Sequence, residues 1–249
     1  MDRLMAAMDG TEHNEPTLKI VVAHDTVKSP LGMAHLKGAR SSVLTCSQGV
    51  QHRFAEAMRS YSSGVLRHVQ DASSNHVPTL EEIILVRRES AGVSPLYHLV
   101  ECAHDLNVPD EVFNDPDIRE LEVLGSDMVS ITNDILSYRK EENEGIPHNM
   151  IALCRMNGMP AQEAFDMVGE LLQERYRRWD VIEGHVRSWG EELDGQVQRY
   201  IEAIKCVVKA NLYWSFESER YLGCNPVDVR RTRTIRVLAN PVFLSKTKS

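Results

Sequence analysis

From Ser47 onward, apolar residues return every three or four positions and no stretch alternates strictly between apolar and polar, so the pattern asks for helices and offers nothing to a sheet. Phe54, Met58, Tyr61, Val65 and Val69 form the first such stripe. Thr79 and Glu82, just after Pro78, have the spacing of a capping box, in which a hydroxyl and a carboxylate satisfy free N–H groups; a helix is predicted to start there and run to Gly92. Asp115-Pro116 supplies an N-cap acid and a first-turn proline for a long helix through Ile118, Leu121, Leu124, Met128, Ile131 and Ile135 to Glu142, closed by Gly145 and Pro147. Further helices are predicted over 148–156, 160–189 and 193–216, and the predicted fold class is all-α. The helical region spans 47–223. Residues 1–46 read as an irregular N-terminal segment, since 10–32 hold Thr, Asn, Pro, Asp and Ser around one short apolar run, and 224–249 read as a basic, weakly patterned tail.

A chain of 249 residues that is 42% hydrophobic can bury one sizeable core, and nothing in its length demands two domains. Its net charge of −8 repels phosphate-rich polymers on average, which argues against a nucleic-acid partner. The five cysteines, Cys46, Cys102, Cys154, Cys206 and Cys224, are odd in number and lack close C-x-x-C pairing, so they are expected to be reduced thiols. No run approaches the roughly 18–20 apolar residues of a membrane span, and the N-terminus lacks a signal-peptide core. These features predict a soluble cytoplasmic protein.

Asn133, Ser137 and Glu141 stand at i, i+4 and i+8 on the long helix; each step of four drifts by about 40°, so their oxygens share one face. Amide, hydroxyl and carboxylate oxygens suit a hard cation such as Mg²⁺, although most polar runs at this spacing are simply solvated faces. The surrounding segment, NDILSYRKE, resembles the second metal motif of class I terpene synthases of the fungal sesquiterpene synthase type. The resemblance implies that Asn133, Ser137 and Glu141 hold Mg²⁺, that Lys140 contacts a diphosphate, and that Asp134 lies outside the metal shell. WSFESERYLG, residues 214–223, is similar to the segment whose Arg-Tyr pair, here Arg220 and Tyr221, closes over the diphosphate in that family. Residues 87–92, RRESAG, resemble the segment where a helix breaks and an arginine senses the diphosphate. Arg87 is the favoured sensor and Arg88 the alternative.

The resemblance extends through PDEVFNDPDIREL and the His148-Asn149 pair, covers about 47–223, and implies an incomplete class I terpenoid synthase helical bundle. It implies a carbon–oxygen lyase that ionises a prenyl diphosphate, farnesyl diphosphate first, and cyclises it to a sesquiterpene. Tyr97, Phe54, Trp214 and Phe216 are candidates for the pocket wall, whereas Trp179 and Trp189 read as packing or surface residues. The family also carries an aspartate-rich motif on an earlier helix, and no Asp-Asp-x-x-Asp cluster occurs here; Asp2, Asp9 and Asp25 are isolated. Because MDRLMAAMDG resembles the helix after that motif, the sequence reads as truncated at its N-terminal side, with weak or absent turnover expected. The rival expectation is a non-catalytic helical protein that binds prenyl diphosphates or a partner. A chain-elongating prenyl transferase fits less well, since that class resembles a double aspartate-rich pattern.

Overall fold

The computed structural model describes residues 45–73, 78–223 and 226–244, so the expectations for 1–44, including the isolated aspartates and the helix at the first ten residues, lie outside the described residues. Among the described residues there is no strand. Helix α1 spans Gln48–Ser73, α2 Leu80–Ser90 and α3 Ser94–Ala103, with a single turn, α4, at Asp110–Phe113. The long helix α5 covers Pro116–Glu144, followed by α6 at Met150–Met156, α7 at Ala161–Glu183 and α8 at Glu191–Glu217. Two short helices, α9 at Glu219–Leu222 and α10 at Pro226–Thr232, and a 3₁₀ turn at Val242–Leu244 complete it.

Local chemistry fixes several boundaries where the sequence marked them. Thr79 accepts from the Glu82 N–H while the Glu82 carboxylate accepts from the Thr79 N–H, closing the capping box of α2. Asp115 caps α5 through the Asp117 N–H, and Gly145 ends it in the left-handed region at φ 68°, where a Cβ would be strained. Several expected boundaries shift, two of them with a visible cause. The helix expected over 148–156 begins at Met150, because Asn149 turns its side chain onto the Ile151 and Ala152 N–H groups as the N-cap. The helix expected over 160–189 stops at Glu183, capped by Gly184.

α5 runs through the middle of the bundle and packs against α7 and α8 along its length and against α2, α6 and α9 at its edges. Every residue from Leu124 to Thr132 is buried, so this stretch is enclosed on all sides although it includes Ser126, Asp127, Ser130 and Thr132. Gly125 lets side chains of α3 and α8 press against α5: a Cβ there would lie 2.6 Å from the Tyr97 hydroxyl and 2.7 Å from Ile204 Cγ2.

α1 departs from the stripe drawn on it. Phe54, Met58 and Tyr61 are only half-buried and Val65 is 36% exposed, whereas Val50, Arg53, Ala57 and Gly64 form the face turned inward. The cause is a buried ion cluster against α3. Arg53 donates to both carboxylate oxygens of Glu101, at 3.3 and 2.6 Å, pairs with Asp110, and lies 3.8 Å from the Phe113 ring centroid. A fully hidden Glu101 is tolerated only because Arg53 and His98 both bond it. The same packing corrects the reading of the cysteines: Cys46 and Cys102 form a disulfide with Cα atoms 5.9 Å apart. The start of α1 and the end of α3 meet in space although 56 residues separate the two cysteines. Cys154 and Cys206 are free thiols, as expected, and Cys224 lies outside the described residues.

Candidate functional site

Asn133 is the junction of three helices. Its Oδ1 accepts from Arg87 Nη2 of α2 at 2.8 Å, and its Nδ2 donates to the Tyr221 hydroxyl of α9 at 2.8 Å. These partners lie 46 and 88 residues away in sequence. Arg87 Nη2 also donates to Asp134 Oδ1 at 2.6 Å, so one guanidinium nitrogen bridges two neighbouring residues of α5. Arg88, one position on, turns to the other side and forms a two-pronged pair with Asp127 at 2.7 and 2.8 Å, which Arg175 of α7 completes at 2.8 Å. Of the two arginines left open by the sequence, Arg87 faces Asn133 and Arg88 is taken up by a structural ion cluster.

Ser137, one turn further along α5, is fully buried, and its Oγ has no hydrogen-bond partner among the described residues. Glu141 is half-buried, and its Oε2 accepts from Asn149 Nδ2 at 2.9 Å. The three oxygens expected to bind a cation therefore face donors or nothing at all: a guanidinium, an orphaned space and an amide. That donor set fits a hard divalent ion, since all three atoms are neutral or anionic oxygens and one is unpaired. Among the described residues, no group of three or more His, Cys, Asp or Glu side chains converges to hold a metal.

Lys140 and Arg220 stand at an adjoining cavity. Lys140 Nζ pairs with Glu144 Oε2 at 2.6 Å, and the exposed Arg220 guanidinium lies 5.7 Å from the Tyr221 ring centroid. Both line, with Tyr221, a cavity of about 1010 Å³ at the C-terminal end of α5. Among the aromatic candidates, Tyr97 is core: it is 1% exposed, with its hydroxyl 3.3 Å from both the Glu122 carbonyl and Ser126 Oγ. Phe216 is also buried, and Trp214 packs edge-on against Tyr221 with centroids 5.5 Å apart. Trp179 is buried and Trp189 partly buried, both as packing residues.

Two residues given no role by sequence reasoning hold the site together. Asp134 is 1% exposed, accepts from Arg87 and from the Met150 N–H at 2.9 Å, and offers its backbone carbonyl to Asn149 Nδ2 at 2.8 Å. Burial pushes its carboxyl up to about 6, against the lowering pull of Arg87. Asn149 thus caps α6 and braces both Asp134 and Glu141. A signal existed for the cap, an Asn directly before an apolar run, but none for the bracing, which depends on how the chain folds back after Gly145.

Against known proteins, the family described as terpene synthase family 2, C-terminal metal binding, matches residues 2–178. The chain belongs to that terpene synthase family. Sesquiterpene synthase 1 of Postia placenta is 35% identical over 197 residues, which is 79% of this chain and 58% of that protein. Silphinene synthase of Penicillium patulum is 36% identical over 192 residues, 77% of this chain and 52% of that protein. The chain therefore spans a little over half the length of these relatives. Among solved structures, a cucumene synthase variant superposes with a TM-score of 0.68 at 21% identity, covering 82% of this chain and 72% of that one. A linalool/nerolidol synthase from Streptomyces clavuligerus, solved with 2-fluorogeranyl diphosphate, gives 0.69 at 18% identity, covering 82% and 73%. The fold of this terpene synthase family member is the all-helical class I bundle of those structures. No helix among the described residues is long and apolar enough to cross a membrane.

Proposed function

We propose that this chain carries the half of a sesquiterpene cyclase that holds one divalent cation and grips the diphosphate of a prenyl substrate, with farnesyl diphosphate the first candidate. The observation that carries this reading is the convergence of Arg87 and Tyr221 on Asn133 from helices distant in sequence. Asn133, Ser137 and Glu141 are the residues that would hold Mg²⁺, which when bound supplies Lewis-acid neutralisation of the diphosphate charge. Arg87 presents a planar fork suited to phosphate oxygens, and its bond to Asn133 Oδ1 keeps the fork aimed at the metal face when no anion is there. The Tyr221 hydroxyl donates to a phosphate oxygen, and Lys140 and Arg220 add charge from the adjoining cavity. Together these groups would stabilise the departing diphosphate as the C–O bond breaks, leaving an allyl cation that must be shielded from water for a hydrocarbon to form.

The sequence contains no Asp-Asp-x-x-Asp cluster, which favours a second reading, that the 249-residue polypeptide binds prenyl diphosphates without turning them over. One experiment separates the two. The purified chain is incubated with farnesyl diphosphate and Mg²⁺, hydrocarbon and diphosphate release are followed together, and a variant with Asn133, Ser137 and Glu141 all changed to alanine runs beside it. Slow release of both products, abolished in the variant, is the expected result. Binding of a non-hydrolysable farnesyl analogue without any release establishes the second reading, and the absence of both binding and release sinks the first and the second alike.

A further inference from the structure

The cavity at the end of α5 has a roof that the proposed function leaves unused. Besides Lys140 and Arg220 it is lined by Arg139 and by two arginines of the C-terminal segment, Arg231 and Arg236. Five cationic side chains around one space are unexpected in a protein whose net charge is −8. Three acids, Glu144, Glu219 and Asp228, line it too, and they hold particular cations in place: Lys140 pairs with Glu144 at 2.6 Å and Arg231 with Asp228 at 3.2 Å. Arg236 is exposed, and its guanidinium has no hydrogen-bond or ion-pair partner among the described residues.

The roof is built in rather than draped. Arg155, 7% exposed, donates Nη1 to the Leu238 carbonyl and Nη2 to the Ala239 carbonyl, both at 2.9 Å. The buried Glu142 accepts from the Leu238 N–H at 2.8 Å, and Arg139 Nη1 donates to the Arg236 carbonyl at 3.0 Å. Phe243, 2% exposed, packs edge-on against Tyr138 with centroids 6.5 Å apart. Two nearly buried charged side chains of α5 and α6, which also pair with each other at 3.5 Å, thus bond backbone atoms of the segment that carries Arg236. A surface tail has no need of such anchors. Their effect is to hold the backbone that carries Arg236 at the cavity before any ligand arrives, which lowers the ordering cost of binding.

We propose that Arg231 and Arg236 are further diphosphate-binding residues, which extend the grip of Lys140 and Arg220 across the cavity onto the C-terminal segment. The inference rests on the proposed function for the choice of ligand. A diphosphate suits the space: it is compact, carries several negative charges, and offers oxygens to forks from separate segments of the chain. The cavity, about 1010 Å³, lies at the upper end of ordinary ligand pockets, which leaves room for solvent or for the first carbons of an ester chain. The anion comes either as the head of a prenyl diphosphate or as the inorganic diphosphate released from it.

Calorimetric titration of the full chain with inorganic diphosphate and with a non-hydrolysable farnesyl thiodiphosphate, both with Mg²⁺, tests this. Arg231→Gln with Arg236→Gln is expected to weaken binding at least about tenfold, as the loss of charge-assisted bonds requires. Arg59→Gln with Arg177→Gln, two exposed positions on α1 and α7 that do not line the cavity, removes the same two charges and should stay within about twofold. Equal weakening for both ligands assigns the residues to the substrate head, and weakening for inorganic diphosphate alone assigns them to the released product. Wild-type affinity in the double variant overturns the inference by itself when Arg87→Gln still weakens binding. If instead the double variant loses affinity and Arg87→Gln does not, the cleft stands and the proposed site around Asn133 fails. No binding by the wild-type chain overturns both. Thermal melts of each variant should match the wild type, since neither arginine is buried.

Discussion

Consecutive residues of a helix point about 100° apart, and here the fold sends Arg87 and Arg88 to different partners. Arg87 bridges Asn133 and Asp134, and its side chain is 15% exposed, so it can still reach a ligand. Arg88 answers Asp127, a carboxylate 1% exposed in the most enclosed part of α5, and burial of Asp127 is tolerable because Arg175 bonds it as well. Changing Arg87 to Gln should weaken diphosphate binding by about tenfold or more, through loss of a charge-assisted contact. Changing Arg88 to Gln should lower stability by about 1.5–3 kcal/mol, the worth of hydrogen bonds to a charged group, and leave binding unchanged. Titration and urea unfolding on both variants check the pair; equal loss of affinity in the two would remove the distinction. The sequence favoured Arg87 but kept Arg88 as the alternative, because a side chain's direction is decided by which helix lies beside it.

At the scale of elements, the turn between α5 and α6 does more than connect them. Gly145 stops α5, and five residues later α6 begins at Met150, bringing Asn149 back under the last turns of α5. Asn149 is fully buried and uses its one amide four ways: its oxygen caps Ile151 and Ala152, and its nitrogen holds the Asp134 carbonyl and the Glu141 carboxylate. Asn149→Ala should cost roughly 2 kcal/mol, the upper end for a lost N-cap. Because Glu141 loses its brace, Mg²⁺-dependent ligand affinity should also fall roughly tenfold or more, as when a partner that orients a metal ligand is removed. Stability loss with unaltered metal dependence would limit Asn149 to capping. α1 and α2 teach a related lesson about contact. A Cβ on Gly64 would lie 2.5 Å from Glu89 Cβ, so the two helices touch at a glycine next to the Arg87-Arg88 pair, a closeness that no periodicity announces.

For the whole molecule, the disulfide between Cys46 and Cys102 ties the start of α1 to the end of α3. Closing a loop of 56 residues constrains the unfolded chain by up to about 4 kcal/mol in the loop-closure account. Cys46→Ser should therefore lower the melting temperature, and a reductant should lower that of the wild type while leaving the variant unmoved. Identical melts for wild type and variant, with and without reductant, would show that the bond contributes nothing. The same chain-wide view explains why the half-buried stripe of α1 was drawn on the wrong side. Hydrophobic spacing locates an amphipathic helix, but Arg53 is drawn inward by Glu101, Asp110 and the Phe113 ring, and these attractions orient α1.

The all-α class, the cap of α2, both ends of α5 and the shared face of Asn133, Ser137 and Glu141 were legible from residues alone. Each depends on contacts within about four positions, where spacing along the chain is also spacing in space. The resemblance carried by NDILSYRKE and WSFESERYLG led to the family for the same reason, since both motifs are continuous. Tertiary structure alone decided that Arg88 goes to Asp127, that Cys46 meets Cys102, that Asn149 braces Glu141, and that Arg231 and Arg236 line one cavity with Lys140 and Arg220. Those pairings join residues from separate segments of the chain, and their geometry follows from how the helices pack around α5, a property of the assembled core and of no local segment.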